Sequence, residues 1–303
     1  MAKQLIAVMG ATGTQGGGVV SELLDRQRFA VRVLTRNPNS DKAKALQAKG
    51  CEVVQGDLTK PETLEPAFNN AYGAFVVTNF WDPSTMASET AQGTLAVKAA
   101  KAAGVQHLVW STLPNCKEIS GGKYEVIHFT GKALVDAEVK AASFPYYTFV
   151  EAPMYFQNFL GMMAPQPLDD GGKGWTMPMN PSAKVLHIGD PVEMGKLAAR
   201  VLEHPETVGA GQYLAPASEL TSWQEMIDTL NTQGHHFRFK QVPNEVFDAF
   251  PFPGAAELRE MMNYFEDYTY FGPNADRKLA LARELYPEGF TSFAEWAKRH
   301  MTP

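Results

Sequence analysis

Two cysteines in 303 residues, Cys51 and Cys116, are too few for a disulfide framework and fit a reducing compartment. Histidine is almost as scarce. Among the seven, only His235 and His236 are adjacent, with neither H-E-x-x-H spacing nor neighbouring cysteines, so no metal site is expected. The chain has no G-x-S-x-G elbow, which removes the usual hydrolase reading. Basic residues are outnumbered, 27 Lys and Arg against 33 Asp and Glu, and form no stripe, so direct nucleic-acid binding is not expected. No apolar run approaches membrane-spanning length, and no charged-then-apolar leader precedes the first strand. The expected setting is the cytoplasm, with the nucleus left open and no membrane partner. Internal repeats and low-complexity tracts are also missing. The remainder is ordinary for a globular protein, 45% hydrophobic and 20% charged, and long enough for one large domain or a domain with a smaller lobe.

What is present is concentrated between Gln4 and Asn37. Gln4–Met9 is a short apolar run suited to a strand buried on both faces of a parallel sheet. It leads into Gly10-Ala11-Thr12-Gly13-Thr14-Gln15-Gly16, a G-x-x-G-x-x-G pattern. In such a turn Gly10 takes the bend, Gly13 lets backbone N–H groups approach a pyrophosphate, and Gly16 lets the next helix lie close to the sheet. A helical stretch with Val19, Val20, Leu23 and Leu24 follows, and Phe29–Thr35 reads as the returning strand. Twenty residues after Gly16, where an NAD site usually carries Asp or Glu for the ribose 2′-hydroxyl, stands Arg36. A guanidinium there can bind a 2′-phosphate through charge-assisted hydrogen bonds, so the cofactor expected is NADP(H).

The first half alternates strand and helix at βα spacing, which predicts an α/β fold with a Rossmann-type doubly wound parallel sheet. Asp41–Lys49 reads as a helix, and Glu52–Gln55 as a third strand with Asp57 just beyond it, free either to accept from an adenine amino group or to close the next turn. Thr59 with Glu62 has capping-box spacing. Gly73–Thr78, Gln106–Ser111 and Tyr146–Val150 read as further strands, with a long helix at about Thr85–Ala103. Tyr124–Ala142 favours a helix that would set Tyr124, His128 and Lys132 on one face, opposite Ser111, either as a solvated stripe or as a functional one. The segment Glu151–Met163 is rich in aromatics and methionine, as core or as a cleft wall. Residues Pro165–Ala183 read as a loop-rich lid or boundary. Asp190-Pro191-Val192-Glu193 announces a helix, and Gln212–Ala215 a strand returning to the main sheet. The expected division is residues 1–153 with 190–215 as the cofactor domain, and 154–189 with 216–303 as a smaller mixed α/β lobe over the cleft.

These stretches resemble the NmrA-like family of atypical short-chain dehydrogenases/reductases. The resemblance rests on Gly10–Gly17, Val31–Pro38, Glu52–Asp57, Val77–Trp81, His128–Lys132, Pro153–Asn158 and Phe252–Ala255. It implies that Thr12, Thr14, Gln15 and Gly16 meet the pyrophosphate and Arg36 the 2′-phosphate, with Asp57 and Leu58 near adenine. Thr78, Asn79 and Phe80 would lie near the ribose, Lys132 would hold the nicotinamide ribose, and Tyr155, Phe156 and Asn158 would line the nicotinamide end. A second basic residue of close relatives is replaced by Ser40, with Lys42 nearby. Catalytic short-chain dehydrogenases use Tyr-x-x-x-Lys; here Lys132 is preceded at that spacing by His128, and Ser111 takes the place of the carbonyl-polarising serine.

The missing tyrosine and the resemblance together favour a redox sensor or regulator whose protein contacts depend on NADPH and NADP+. The alternative is an NADPH-dependent reductase of a small carbonyl, quinone or enone, with Lys132, Ser111 and His128 as the catalytic residues. Partners expected beside the cofactor are a regulatory protein or an apolar small molecule, bound to a monomer or a homodimer.

Overall fold

The computed structural model describes residues 2–81 and 89–303. The chain opens as β1 (Leu5–Met9), α1 (Thr14–Arg26), β2 (Ala30–Thr35), α2 (Asp41–Ala48) and β3 (Glu52–Gln55). It continues through α3 (Leu64–Phe68), β4 (Gly73–Val76), α4 (Glu89–Ala102), β5 (His107–Thr112), α5 (Cys116–Ile119), α6 (Ile127–Ala141) and β6 (Tyr146–Glu151). The second half holds β7 (Met154–Tyr155), β8 (Gln166–Pro167), β9 (Lys173–Met177), β10 (Leu186–Gly189), α7 (Pro191–Glu203), α8 (Pro205–Val208), β11 (Ala210–Leu214) and β12 (Glu219–Thr221). It ends with α9 (Trp223–Thr232), β13 (Phe237–Gln241), α10 (Asn244–Asp248), α11 (Ala255–Tyr268), α12 (Ala275–Leu285) and α13 (Phe293–His300).

Seven strands form one all-parallel sheet in the order β11-β6-β5-β4-β1-β2-β3. The order reverses at β1, between β2 and β4, and the crevice beyond the carboxyl ends at that point is where open α/β sheets bind ligands. Alternation along β1 divides the core in two. Ile6 and Val8 face α1 and α7, whereas Ala7 and Met9 face the side packed by α3, α4 and α6. The first of these cores runs without a break into the second half, through Trp175, Trp223, Phe265 and Trp296. Two three-stranded sheets, β12-β10-β7 and β13-β9-β8, carry that half.

α1 and α7 cross where neither has side chains in the way. A Cβ on Gly18 would sit 3.1 Å from Val192 Cα, and one on Gly195 would sit 2.7 Å from Val19 N. Asp190 caps α7 by accepting from Val192 N–H at 2.7 Å, with Pro191 at the first helical position. Glu193 instead accepts from Thr291 N–H and Oγ1.

Three expectations change. The Thr59–Glu62 capping box does not form, because Thr59 donates through both N–H and Oγ1 to Asp57 Oδ1 (2.9 and 2.7 Å) and closes the turn after β3. Residues 165–183 are not loop throughout; β9 lies between β8 and β13, and Trp175, Met177 and Met179 are buried. Tyr124 is not on the helix that carries His128 and Lys132. α6 begins only at Ile127, and Tyr124 Oη donates to Asp267 Oδ2 at 2.8 Å. The reason is tertiary: Glu260 and Glu257 of α11 accept from Glu125 N–H (2.7 Å) and His128 N–H (3.0 Å), taking the place of a local cap. Residues 85–88 of the expected long helix lie outside the described residues, and α4 starts at Glu89.

Candidate functional site

The glycine turn is built as its spacing requires. Gly10 adopts φ +69°, and a Cβ there would meet Val77 Cγ1 at 2.6 Å. Gly13 N–H donates to Gly10 O at 2.9 Å and caps α1 without a side chain. A Cβ on Gly16 would overlap the Gly10 carbonyl and sit 2.8 Å from Ala11 N, so only glycine lets α1 start this close to β1. The first turn of α1 carries no acid, and its leading N–H groups have no intrahelical acceptor. They open onto a cleft of about 470 Å³ across the switch point. Gly10, Thr12, Gly13, Thr14, Gln15 and Gly16 line its floor; Arg36, Asp57 and Leu58 stand on the β2–β3 side, and Thr78, Asn79 and Tyr155 on the other. Ser40 caps α2 by accepting from Ala43 N–H, and Lys42 Nζ reaches within 3.5 Å of Thr12 O.

The remaining candidate residues stand behind this surface. Lys132 Nζ donates to Thr78 O and Oγ1, both at 2.9 Å, and pairs with Glu89 Oε1, so its three protons are all engaged. Burial pushes the Lys132 ammonium down, and the Glu89 carboxylate opposes that shift. Lys132 therefore touches the cleft through Thr78, whose hydroxyl also donates to Glu89 at 2.8 Å. His128 Nδ1 lies 2.5 Å from Glu257 Oε1, and its ring packs against Phe80, Trp81 and Phe129. Burial would raise the Glu257 carboxyl, but the hydrogen bonds from His128 hold it below its ordinary range. Phe80 is buried in this aromatic group. Ser111 Oγ donates to Gln15 Oε1 at 2.8 Å, and Gln15 Nε2 donates to the Tyr155 hydroxyl. Phe156 is buried against Phe293 and Trp296, and Asn158 is half-buried; neither lines the cleft.

The sequence profile of the NmrA-like family matches residues 2–297. The chain belongs to this family. Among its members, the NmrA-like family domain-containing oxidoreductase lnaB of Aspergillus flavus is 30% identical, covering 97% of each chain. The oxidoreductase FrzB of Cladobotryum sp is 32% identical over 89% of this chain and 86% of its own. The crystal structure of NmrA, a negative transcriptional regulator, superposes with a TM-score of 0.81 at 24% identity, over 98% of this chain and 95% of that one, a likeness of fold.

Within this family frame, two contributors lie outside the residues singled out from sequence, and a third, Gln15, is expected at the pyrophosphate but not as a link between Ser111 and Tyr155. Glu89 anchors Lys132, Gln92 lines the cleft one turn later on α4, and the side chain of Gln15 joins Ser111 to Tyr155. A polar pair spaced i, i+3 in an alanine-rich helix was the available signal for the first two. For Gln15 there was none, since its partners lie 96 and 140 residues away.

Proposed function

We propose that the protein binds NADP(H) and uses it to reduce a small carbonyl, quinone or enone. The observation that carries this reading is the polarity of the cleft from end to end. A guanidinium, Arg36, stands on the β2 side of the glycine turn, and an uncharged hydroxyl, Tyr155, stands on the other. The first suits a 2′-phosphate and the second a neutral oxygen. The turn suits a pyrophosphate because the leading N–H groups of α1 have no intrahelical acceptor and face the cleft, and the absence of a Cβ at Gly16 lets that helix start close to β1. When bound, NADPH would supply the hydride. Lys132 would hold the cofactor edge through Thr78, and the names of the fungal relatives support oxidoreductase chemistry.

A second reading, a redox regulator, has its own support. The Lys132 protons are all engaged, and His128 is clamped to α11 by Glu257, which suits a site that reports occupancy to the second half of the chain. The resemblance of the sequence to the human NADPH sensor HSCARG points the same way. NADPH absorbance with a panel of quinones and aldehydes separates the two. Sustained turnover that disappears in Lys132→Ala is the expected result. No turnover, together with cofactor-dependent changes in size or proteolysis, would favour the regulator.

A further inference from the structure

We propose that Tyr155 is the hydrogen-bond donor and proton source for the oxygen of the acceptor being reduced, with Gln15 and Ser111 as its positioning residues. The inference rests on the reductase reading and fixes the substrate class as one with a carbonyl-type oxygen, a ketone, aldehyde or quinone.

The direction of the hydrogen bonds carries the argument. Ser111 Oγ donates to Gln15 Oε1, which leaves the amide nitrogen of Gln15 facing Tyr155. That nitrogen donates to the phenolic oxygen, so the Tyr155 O–H proton is not used by Gln15. Tyr155 lines the cleft, whereas His128 and Lys132 do not. Of the side chains in this cluster, Tyr155 is therefore the one placed to give a proton to a ligand there.

Its support is rigid. Ser111 is buried on β5, Tyr155 sits on β7, and Gln15 is in the first turn of α1. α7 presses on that turn through Gly195, where any Cβ would overlap Gln15 O. The donor is thus tied to the element that cradles the dinucleotide, and the two are held in register. Burial raises the phenol, so it stays protonated through the neutral range, and the Gln15 hydrogen bond moderates that shift.

The balance is simple. The carbonyl gains a hydride at carbon as NADPH is oxidised to NADP+, and the π pair moves to oxygen. That oxygen takes the Tyr155 proton, and the phenolate, held by Gln15, regains one from solvent water. General acid catalysis of this kind contributes roughly 10² to 10⁴-fold.

Tyr155→Phe keeps the ring and removes the proton, which makes it the sharp test. In calorimetry on the NADP+-saturated protein, the variant should bind menadione about three- to tenfold more weakly, as loss of one neutral hydrogen bond implies. Its NADP+ affinity should stay within about twofold of wild type, while NADPH-dependent kcat for menadione or benzaldehyde falls about a hundredfold. Ser111→Ala, which frees the amide of Gln15 to turn, should lower kcat by a smaller factor and leave KM nearly unchanged. Wild-type kcat in Tyr155→Phe would overturn the proposal and leave the reductase reading standing. A loss of NADP+ affinity as large as the loss of turnover would make Tyr155 a cofactor contact and also overturn it. If the wild-type protein reduces neither probe, the reductase reading itself fails and this inference goes with it.

Discussion

Arg36 is the residue on which the proposed choice of NADP(H) over NAD turns. It lines the cleft just past β2, where a carboxylate would repel a 2′-phosphate. Arg36→Asp should weaken NADP+ binding by about ten- to a hundredfold more than NAD+ binding, the range set by one charge-assisted hydrogen bond of roughly 1.5–3 kcal/mol. Equal losses by calorimetry would place the phosphate contact elsewhere, with Lys42 as the first candidate, since its ammonium already reaches Thr12 O. Asp57 shows how one residue fills two roles. It closes the turn by accepting from Thr59, and it still lines the cleft.

At the scale of elements, α6 and the α1–α7 pair decide how firmly the site is held. Gly195→Ala would force a methyl against the start of α1, where Val19 N lies 2.7 Å from the new carbon. The expected loss is about 1–3 kcal/mol, the usual cost of overpacking, read as a lower urea midpoint. An unchanged midpoint would show that the helices separate at no cost. α6 is fastened to the sheet by Asp136, whose carboxylate accepts from Thr112 Oγ1 and Tyr213 Oη, each at 2.8 Å. Burial pushes this carboxyl up to about 7, against the pull of the two hydroxyls. Because the folded value lies above the unfolded one, the folded state keeps a proton that the unfolded state releases. Asp136 therefore contributes stability that is complete below about pH 4 and is lost as pH rises towards 7. Asp136→Asn should flatten that part of the stability profile. His107 and His187, pushed down to about 4 by burial, act with the opposite sign, so the comparison is wild type against variant across one pH series. A profile that keeps its slope in the variant would assign the effect to another group.

For the whole molecule, the continuous core on the α1–α7 face predicts cooperative unfolding of the two halves. Fluorescence from Trp223 and Trp296 and far-ultraviolet circular dichroism should report one transition, and two separated midpoints would show independent halves. NADPH at a hundred times its Kd should add about 2.7 kcal/mol to that single transition, by mass action on the folded state. The expected boundary at residues 153–154 is thus not a boundary of packing. β6 continues into β7 within a few residues, and Phe156 and Phe159 bury themselves beside Phe293.

The linear chain determined what depends on neighbours close in sequence. The three glycines of the turn, the apolar runs of the parallel sheet, the caps at Asp190, Ser222 and Ser292, and the placing of Arg36 all follow from spacing, because their hydrogen bonds and steric limits act within a few residues. The tertiary structure decided the rest. It occupied Lys132 with Glu89, clamped His128 to Glu257, drew Tyr124 out of the helix, and joined Ser111, Gln15 and Tyr155 by two hydrogen bonds. Each of those outcomes matches a donor to an acceptor across 43 to 143 residues. No local pattern encodes such a match, and only the packing of the folded sheet and helices brings the two partners together.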